Sequence, residues 1–330
     1  MTVPSDVVAR STHHTPGARH SSGASSSESA HDAPLEWRAP SVWPRFVALV
    51  RSIDARYLQI GFLGSFLLFG ALVRDFALRP EQVALTFAAA LATQIIGARL
   101  TGLPSHSLLS AVVTSLGLSI LVRADSLWVH PLVATIAIGA KFVIRWNGKH
   151  LYNPANLGVM VAMLLLPGAW ISPGQWGSDM LLALWVATFG VTVSTSARRF
   201  DIAWAFLAIY VGLLCLRIEY LGARWAVLEN QLSSGALILF TFFMITDPMT
   251  TPNHRLMRFL YAAIVAIGAF VWTYVLFRTN GLVWALFLAT PLVPLLDRLM
   301  PAEKFQWRPQ SPYPPAPGVR DPVGAAQRMP

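Results

Sequence analysis

Ten apolar stretches of 16 to 21 residues follow one another between residues 57 and 299, and short polar segments separate them. A helix needs about 20 mainly apolar residues to cross the hydrocarbon core of a bilayer. Only 12% of the 330 residues are charged, whereas a soluble domain carries about 25%. The sequence therefore predicts an all-α integral membrane protein. The predicted spans are residues 57–73, 82–99, 106–122, 127–145, 154–170, 179–197, 202–218, 232–247, 257–277 and 281–299.

Three further segments flank this ten-span domain, which we place at residues 57–300. Residues 1–36 contain no apolar run and residues 301–330 contain eight prolines, so both are predicted to be disordered tails. In residues 37–56, apolar and charged side chains separate onto two faces at helical spacing. This pattern predicts an amphipathic helix in the membrane interface, and the alternative is a soluble helix that packs on a partner.

The spans divide into two sets of five, and the odd number means that a duplicated half would be inserted upside down. Spans three and eight are short, carry small or polar residues, and occupy matching places in the two halves. Such interrupted spans point to inverted repeats with a binding site between them. Arg and Lys concentrate in the loops that are cytoplasmic if the N-terminus is cytoplasmic, so both termini are predicted to lie inside.

The net charge of +9 does not require nucleic acid, because the positive residues lie mainly beside apolar spans. The lipid bilayer is the partner that this placement predicts. The single cysteine, Cys215, excludes a disulfide framework. The sequence contains no metal-ligand spacing, P-loop or nucleophile elbow, so no metal site and no catalytic residue is predicted.

The first informative segment is KHLYNPANLG, residues 149–158, at the start of span five. Asn153 suits an N-cap and Pro154 suits the first helical position, and Asn156 follows one turn later. The N–H groups at such a helix start can receive an anion or a polar ligand. The alternative is ordinary capping of a helix at the membrane surface.

The second segment is FMITDPMTTP, residues 243–252, where span eight stops abruptly. Asp247 precedes Pro248, with Thr246 and Thr250 on either side. A carboxylate near membrane depth is costly and indicates a functional site with a charged partner. The alternative is that Asp247 caps a short surface helix. The candidate partners are Lys149, Arg255 and Arg258. Lys141, His130, Arg99 and Asp297 lie near span ends, where snorkelling to the interface explains them.

These segments together carry a family resemblance. YNPANLG at residues 152–158, Ser234-Gly235-Ala236, and FFMITDPMT at residues 242–250 resemble the NqrB subunit of the sodium-translocating NADH:quinone reductase and the RnfD subunit of the Rnf electron-transport complex. The resemblance covers about residues 57–300, and within the family the chain looks most like a shorter, UnbU-like branch. It implies inverted repeats, flavin cofactors, other membrane subunits of a redox complex, and a bacterial-type cytoplasmic membrane. The implied site contains Asn153, Pro154, Asn156, Ser234, Gly235, Thr246, Asp247, Pro248 and Thr250.

One departure from the family concerns the cofactor. Members with covalent FMN attach it through a threonine between spans five and six, and residues 170–178 contain no threonine. Ser234-Gly235-Ala236-Leu237 echoes the attachment motif but ends in leucine. The sequence therefore argues against covalent FMN and leaves non-covalent FMN or riboflavin. Three hypotheses stay open: a subunit for electron-transport-linked ion or solute transport, a stand-alone transporter that has lost the flavin, and a non-catalytic membrane scaffold.

Overall fold

The computed structural model describes residues 53–72, 78–102, 108–172, 188, 190–193 and 199–305, and these parts are mostly helical. Two helices continue into π-helical turns, at Phe240–Met244 and Val271–Val275, and a 3₁₀ turn at Thr290–Leu292 joins the last two helices. The helices are α1 (Ala55–Leu72), α2 (Pro80–Thr101), α3 (Leu108–Leu121), α4 (Val129–Val143), α5 (Pro154–Leu165), α6 (Phe200–Leu221), α7 (Ala226–Leu232), α8 (Gly235–Leu239), α9 (Arg255–Phe270), α10 (Gly281–Ala289) and α11 (Val293–Leu299).

Nine of the ten predicted spans coincide with apolar helices in these parts of the chain. Five helical segments are long and apolar enough to cross a membrane: Ala55–Leu72, Pro80–Thr101, Phe200–Leu221, Arg255–Val275 and Gly281–Leu299. Four shorter apolar helices correspond to predicted spans three, four, five and eight. Most of the sixth predicted span, residues 179–197, lies outside the described residues. The prediction of a helical, multi-pass membrane protein is confirmed.

The prediction of a purely helical span five was wrong at its end. Helix α5 stops at Leu165, where Pro167 and Gly168 follow and Gly168 adopts a positive φ of 73°. The chain then forms strand β4 (Ala169–Ile171), which pairs antiparallel with β1 (Val122–Ala124). A second small pair joins β2 (Arg145–Trp146) to β3 (Lys149–His150).

Several predicted segments cannot be compared with the structure. Residues 1–52, which include the N-terminal tail and most of the amphipathic helix, lie outside the described residues, as do residues 306–330 and residues 173–178 of the span five to six loop. Residues 301–305 form neither helix nor strand.

The helices pack in a pattern that is similar in the two halves of the chain. In the first half, α2 packs on α4 and α4 packs on α5. In the second half, α6 packs on α9 and α9 packs on α10. Helices α5 and α10 run antiparallel where the halves meet: Tyr152 stacks on Phe287 at one end of their contact, and Asn280 approaches the sulfur of Met163 at the other.

Helix α5 packs closely on its neighbours because Gly158 has no side chain. A Cβ at this position would lie 2.7 Å from Leu118 Cδ2, 3.1 Å from Ala137 Cβ and 3.1 Å from Val133 Cγ1. These three residues belong to α3 and α4, so the glycine lets α5 enter the groove between them. This placement brings the start of α5, with Asn153, beside the end of span eight.

Candidate functional site

A cavity of about 320 Å³ lies among α1, α2, α3, α4, the start of α5 and the end of span eight. Its size falls within the range of about 300–1,000 Å³ that is typical of small-molecule sites. The two interrupted spans, three and eight, both line it. The polar residues on its wall are Arg56, Gln59, Gln94, Ser110, Thr114, Lys141, Arg145, His150, Asn153 and Asp247, and the apolar ones include Leu63, Val113, Phe142, Phe243 and Met244.

Asn153 joins the start of α5 to the end of span eight. Its Oδ1 accepts a hydrogen bond from Asn156 N at 3.1 Å, and Pro154 occupies the first helical position, which confirms the predicted cap. Its Nδ2 donates to Asp247 Oδ2 at 3.2 Å. One side chain therefore caps the helix with its oxygen and holds the carboxylate with its nitrogen.

Asp247 begins a turn and does not cap a helix. Its Oδ1 accepts from Met249 N at 3.0 Å, the two-residue reach of an Asx turn. Its carbonyl oxygen accepts from Thr250 N at 3.1 Å and from Thr251 Oγ1 at 3.1 Å. Both carboxylate oxygens are therefore engaged, one by the turn and one by Asn153.

The cations proposed as partners of Asp247 pair with other carboxylates, so that prediction was wrong. Arg258 and Arg255 lie against Asp201. Lys149 contacts Asp297 at 3.3 Å. A carboxylate that already accepts hydrogen bonds from a backbone N–H and from an amide does not need a direct salt bridge, because both contacts stabilise its charge.

Lys149 and Asp297 fix the loop that follows Asp247. Lys149 Nζ donates to the carbonyl oxygen of Thr251 at 2.6 Å, and Asp297 Oδ1 accepts from Asn253 N at 2.7 Å. Burial lowers the pKa of Lys149, and the neighbouring Asp297 opposes that shift. The loop is thus tied to the β2–β3 turn on one side and to α11 on the other.

Lys141 points into the protein, and the prediction that it snorkels to the interface was wrong. The residue is 6% exposed. Its Nζ donates to Gln94 Oε1 at 2.8 Å and to Ser110 Oγ at 3.2 Å. His130 also turns inward and contacts Thr86 Oγ1 at 3.0 Å. The sequence contains a pattern that indicates inward-facing partners for both residues. Gln82, Thr86 and Gln94 recur at multiples of four in α2, which predicts one polar face along that helix. Gln94 of this face contacts Lys141, and Thr86 contacts His130.

Of the nine site residues predicted from the sequence, Asn153, Pro154, Asp247 and Pro248 line the cavity. Thr246 is buried and donates to the carbonyl oxygen of its own helix at Phe242. Thr250 is buried in the turn after Asp247. Ser234 and Gly235 lie at the start of α8 and do not line the cavity.

Asn156 connects two helices. Oriented so that both of its amide groups find partners, its side chain donates to Val283 O at 3.3 Å and accepts from Phe287 N at 3.2 Å. These two backbone groups lie four residues apart in α10. Asn156 therefore contacts two backbone groups of α10 and links α5 to α10 across the two halves.

The fold and the cavity together define a multi-pass membrane protein with an internal polar site. Residues 171–306 match the model of the NQR2, RnfD, RnfE family. Over these residues the chain is similar to the family, which supports the resemblance found in its sequence motifs.

Three curated relatives are ion-translocating oxidoreductase complex subunits D. The protein of Tolumonas auensis is 34% identical over 76 residues, which are 23% of this chain and 22% of that protein. The protein of Cronobacter sakazakii is 27% identical over 296 residues, covering 66% of this chain and 84% of that protein. The protein of Escherichia fergusonii is 31% identical over 133 residues, or 39% of this chain and 32% of that protein. The alignments with the first and third relatives thus span less than two thirds of those proteins.

Proposed function

We propose that this chain is a membrane subunit of a redox complex that couples electron transport to ion movement, and that it binds a flavin without a covalent bond. The proposal rests on the contact between Asn153 and Asp247. It joins the two family motifs at the wall of one cavity, which is where a shared ligand would contact both.

The residues on the cavity wall fit a flavin ring. Such a ring has two apolar faces and an edge of hydrogen-bond donors and acceptors. Phe243, Met244 and Val113 supply apolar surface, and Asn153, Gln59 and Gln94 supply polar groups. A bound flavin would supply electron-transfer chemistry. The chain's part would be to hold the ring, orient its polar edge, and keep water from it.

We further propose ten spans in two inverted repeats, with both termini cytoplasmic in a bacterial-type inner membrane. The equivalence of the packing pairs, α2 with α4 and α6 with α9, supports the repeats, since each pair joins the second and fourth spans of its half. The antiparallel contact of α5 with α10 supports opposite orientations of the halves.

The visible absorption spectrum of the purified protein, recorded before and after denaturation, tests the cofactor. We expect flavin absorption in the native protein, release of the flavin into the supernatant on denaturation, and no fluorescent band at the mass of the chain in a denaturing gel. A fluorescent band would establish a covalent acceptor other than the missing threonine. Native protein without flavin, alone and with co-purified subunits, would favour a transporter or scaffold that has lost the cofactor.

A further inference from the structure

Arg298, near the end of α11, is an exposed arginine whose guanidinium lies over an aromatic ring and contacts no carboxylate among the described residues. Its Cζ lies 4.6 Å from the centroid of the Trp146 ring. The neighbouring Asp297 contacts Lys149 and Asn253 instead. An arginine that stacks on an aromatic ring keeps the N–H groups at its edge available. Arg298 therefore presents donors and a positive charge to the surroundings of the protein.

The aromatic ring under this guanidinium is held in place by the β2–β3 hairpin. Trp146 pairs with Lys149 across the hairpin. The two turn residues between them, Asn147 and Gly148, both have positive φ, 47° and 82°, as a tight type I′ turn requires. Arg145 Nη2 donates to Gly148 O at 2.7 Å and closes the turn further. Because the ring is fixed before any ligand arrives, less conformational entropy is lost when one binds.

A second exposed cation contacts the same hairpin. Lys304 Nζ donates to Asn147 Oδ1 at 2.7 Å, and Asn147 follows Trp146 directly in the chain. A lysine ammonium has three N–H groups, so Lys304 keeps donors for a further contact. Glu303 is the exposed carboxylate beside it in the chain, and Arg298 and Lys304 outnumber it. A surface with this positive balance attracts negatively charged groups.

An apolar stripe on span ten leads to these cations. Four exposed leucines recur along the span at spacings of three and four residues, so they share one face. They are Leu288, Leu292, Leu295 and Leu299. Arg298 follows Leu295 by three residues and lies on the same face. Val143, at the end of α4 before the hairpin, is exposed as well. On a helix that crosses a membrane, an exposed apolar face contacts the acyl chains of lipids.

We propose that Arg298, Lys304 and Trp146 bind the headgroup of an anionic glycerophospholipid whose acyl chain lies along the leucine stripe of span ten. The phosphodiester would accept hydrogen bonds from the guanidinium edge and from the ammonium. A choline headgroup carries a positive charge that the two cations repel, so a lipid of net negative charge is preferred. This inference goes beyond the proposed redox function, and none of the three residues lines the cavity.

Titration of delipidated protein in a neutral detergent with dioleoyl phosphatidylglycerol, and separately with dioleoyl phosphatidylcholine, tests the inference. A lipid that binds the folded protein raises its unfolding temperature as the lipid concentration rises. We expect the apparent affinity for phosphatidylglycerol to be at least about fivefold higher, the factor that one cation near an anionic headgroup typically contributes. Arg298→Gln should lower this affinity by about fivefold and leave the response to phosphatidylcholine unchanged.

The matched control is Arg278→Gln, which removes the same charge from an exposed arginine at the other end of span ten. It should keep the preference for phosphatidylglycerol. Soluble glycerol phosphate, added at the same concentrations, should raise the unfolding temperature far less than the lipid, because it has no acyl chain to cover the leucine stripe.

Three results would overturn the proposal. Equal losses of affinity in Arg298→Gln and Arg278→Gln would mean that any positive charge at a span end has the same effect. Glycerol phosphate that stabilises the protein as strongly as the lipid would show an anion site without a lipid. Equal responses of the unmodified protein to the two lipids would exclude a preference for anionic headgroups, and this comparison needs no variant.

Discussion

Asn153 Nδ2 donates to Asp247 Oδ2 at 3.2 Å and thereby joins two motifs that lie 94 residues apart in the chain. The sequence offered two interpretations of each residue, helix capping or membership of a polar site. The structure shows that for Asn153 these are not alternatives, because Oδ1 caps α5 while Nδ2 holds the carboxylate. The cap fixes the orientation of the amide, so the nitrogen necessarily faces Asp247.

We predict that Asp247→Asn destabilises the protein by about 1–3 kcal/mol, the usual cost of a buried polar group left without its partner. Asn and Asp rank alike as caps, so a residue with only a capping role would tolerate the change. Here Oδ1 serves Met249 N and Oδ2 serves Asn153 Nδ2. An amide has a single oxygen, so one donor loses its acceptor. Thermal unfolding in detergent measures the loss, and an unchanged transition would show that one of the two contacts contributes nothing.

Exchanging the two residues should restore stability. In the double variant Asn153→Asp, Asp247→Asn, the new carboxylate can cap Asn156 N and accept from the new amide, whose oxygen still accepts from Met249 N. All three hydrogen bonds and the net charge are retained, and a carboxylate at a helix start is favourable. Asn153→Asp alone should be destabilised, because it sets two carboxylates against each other. We expect both single variants to unfold at lower temperature than the double variant. If the double variant lost as much stability as the two single variants lose together, residues 153 and 247 would not be energetically coupled.

The close packing at Gly158 gives a third prediction. Gly158→Ala places a methyl group 2.7 Å from Leu118 Cδ2, and overpacking of this kind costs about 1–3 kcal/mol. The control is Gly212→Ala in α6, where no atom lies within 4 Å of the added carbon. That change should be neutral or slightly stabilising because alanine has the higher helix propensity. Thermal unfolding of both variants measures the contrast, and equal transitions would contradict the role assigned to Gly158.

The sequence predicts the spans well, since apolar length alone identifies a membrane helix. It also locates Asn153 and Asp247, because an abrupt boundary of an apolar run next to proline is a local signal. It does not predict their contact, which depends on how α5 packs against span eight. The sequence also does not predict the inward position of the Lys141 side chain. A lysine near the end of a span can reach the interface or turn inward, and the choice depends on Gln94 and Ser110, which belong to other helices.

Membrane orientation can be tested at Lys304, whose Nζ contacts Asn147 Oδ1 at 2.7 Å. This contact places the end of span ten beside the loop between spans four and five, a loop that the charge bias assigns to the cytoplasm. In a background of Cys215→Ser, we expect Lys304→Cys to resist a membrane-impermeant maleimide in intact cells and to react after lysis. Arg224→Cys, in the exposed turn after α6, should react in intact cells. The reverse pattern would invert the proposed topology.

The last prediction concerns acid sensitivity at His150, which lies in the β2–β3 turn on the cavity wall. Burial lowers the pKa of His150 from its ordinary value, and Asp247 only partly opposes that shift. The ring is therefore neutral at pH 7, and its Nδ1 lies 3.2 Å from the carbonyl oxygen of Tyr152. In the unfolded chain the same ring takes up a proton near pH 6.5.

The sign of the effect follows from this difference in proton binding. Below about pH 6.5 the unfolded state binds more protons than the folded state, so stability falls as the pH drops towards the lowered folded pKa, at up to about 1.4 kcal/mol per pH unit. His150→Gln removes the titrating group and should flatten this part of the pH profile. As the pH falls from about 7 to about 5.5, we expect the stability of the variant to rise relative to that of the unmodified protein. Thermal unfolding of both proteins in detergent measures this difference. His254→Gln is the control, because His254 caps α9 at an exposed site away from the cavity, and it should leave the acid dependence in place. Parallel profiles for His150→Gln and the unmodified protein would mean that the acid sensitivity arises elsewhere.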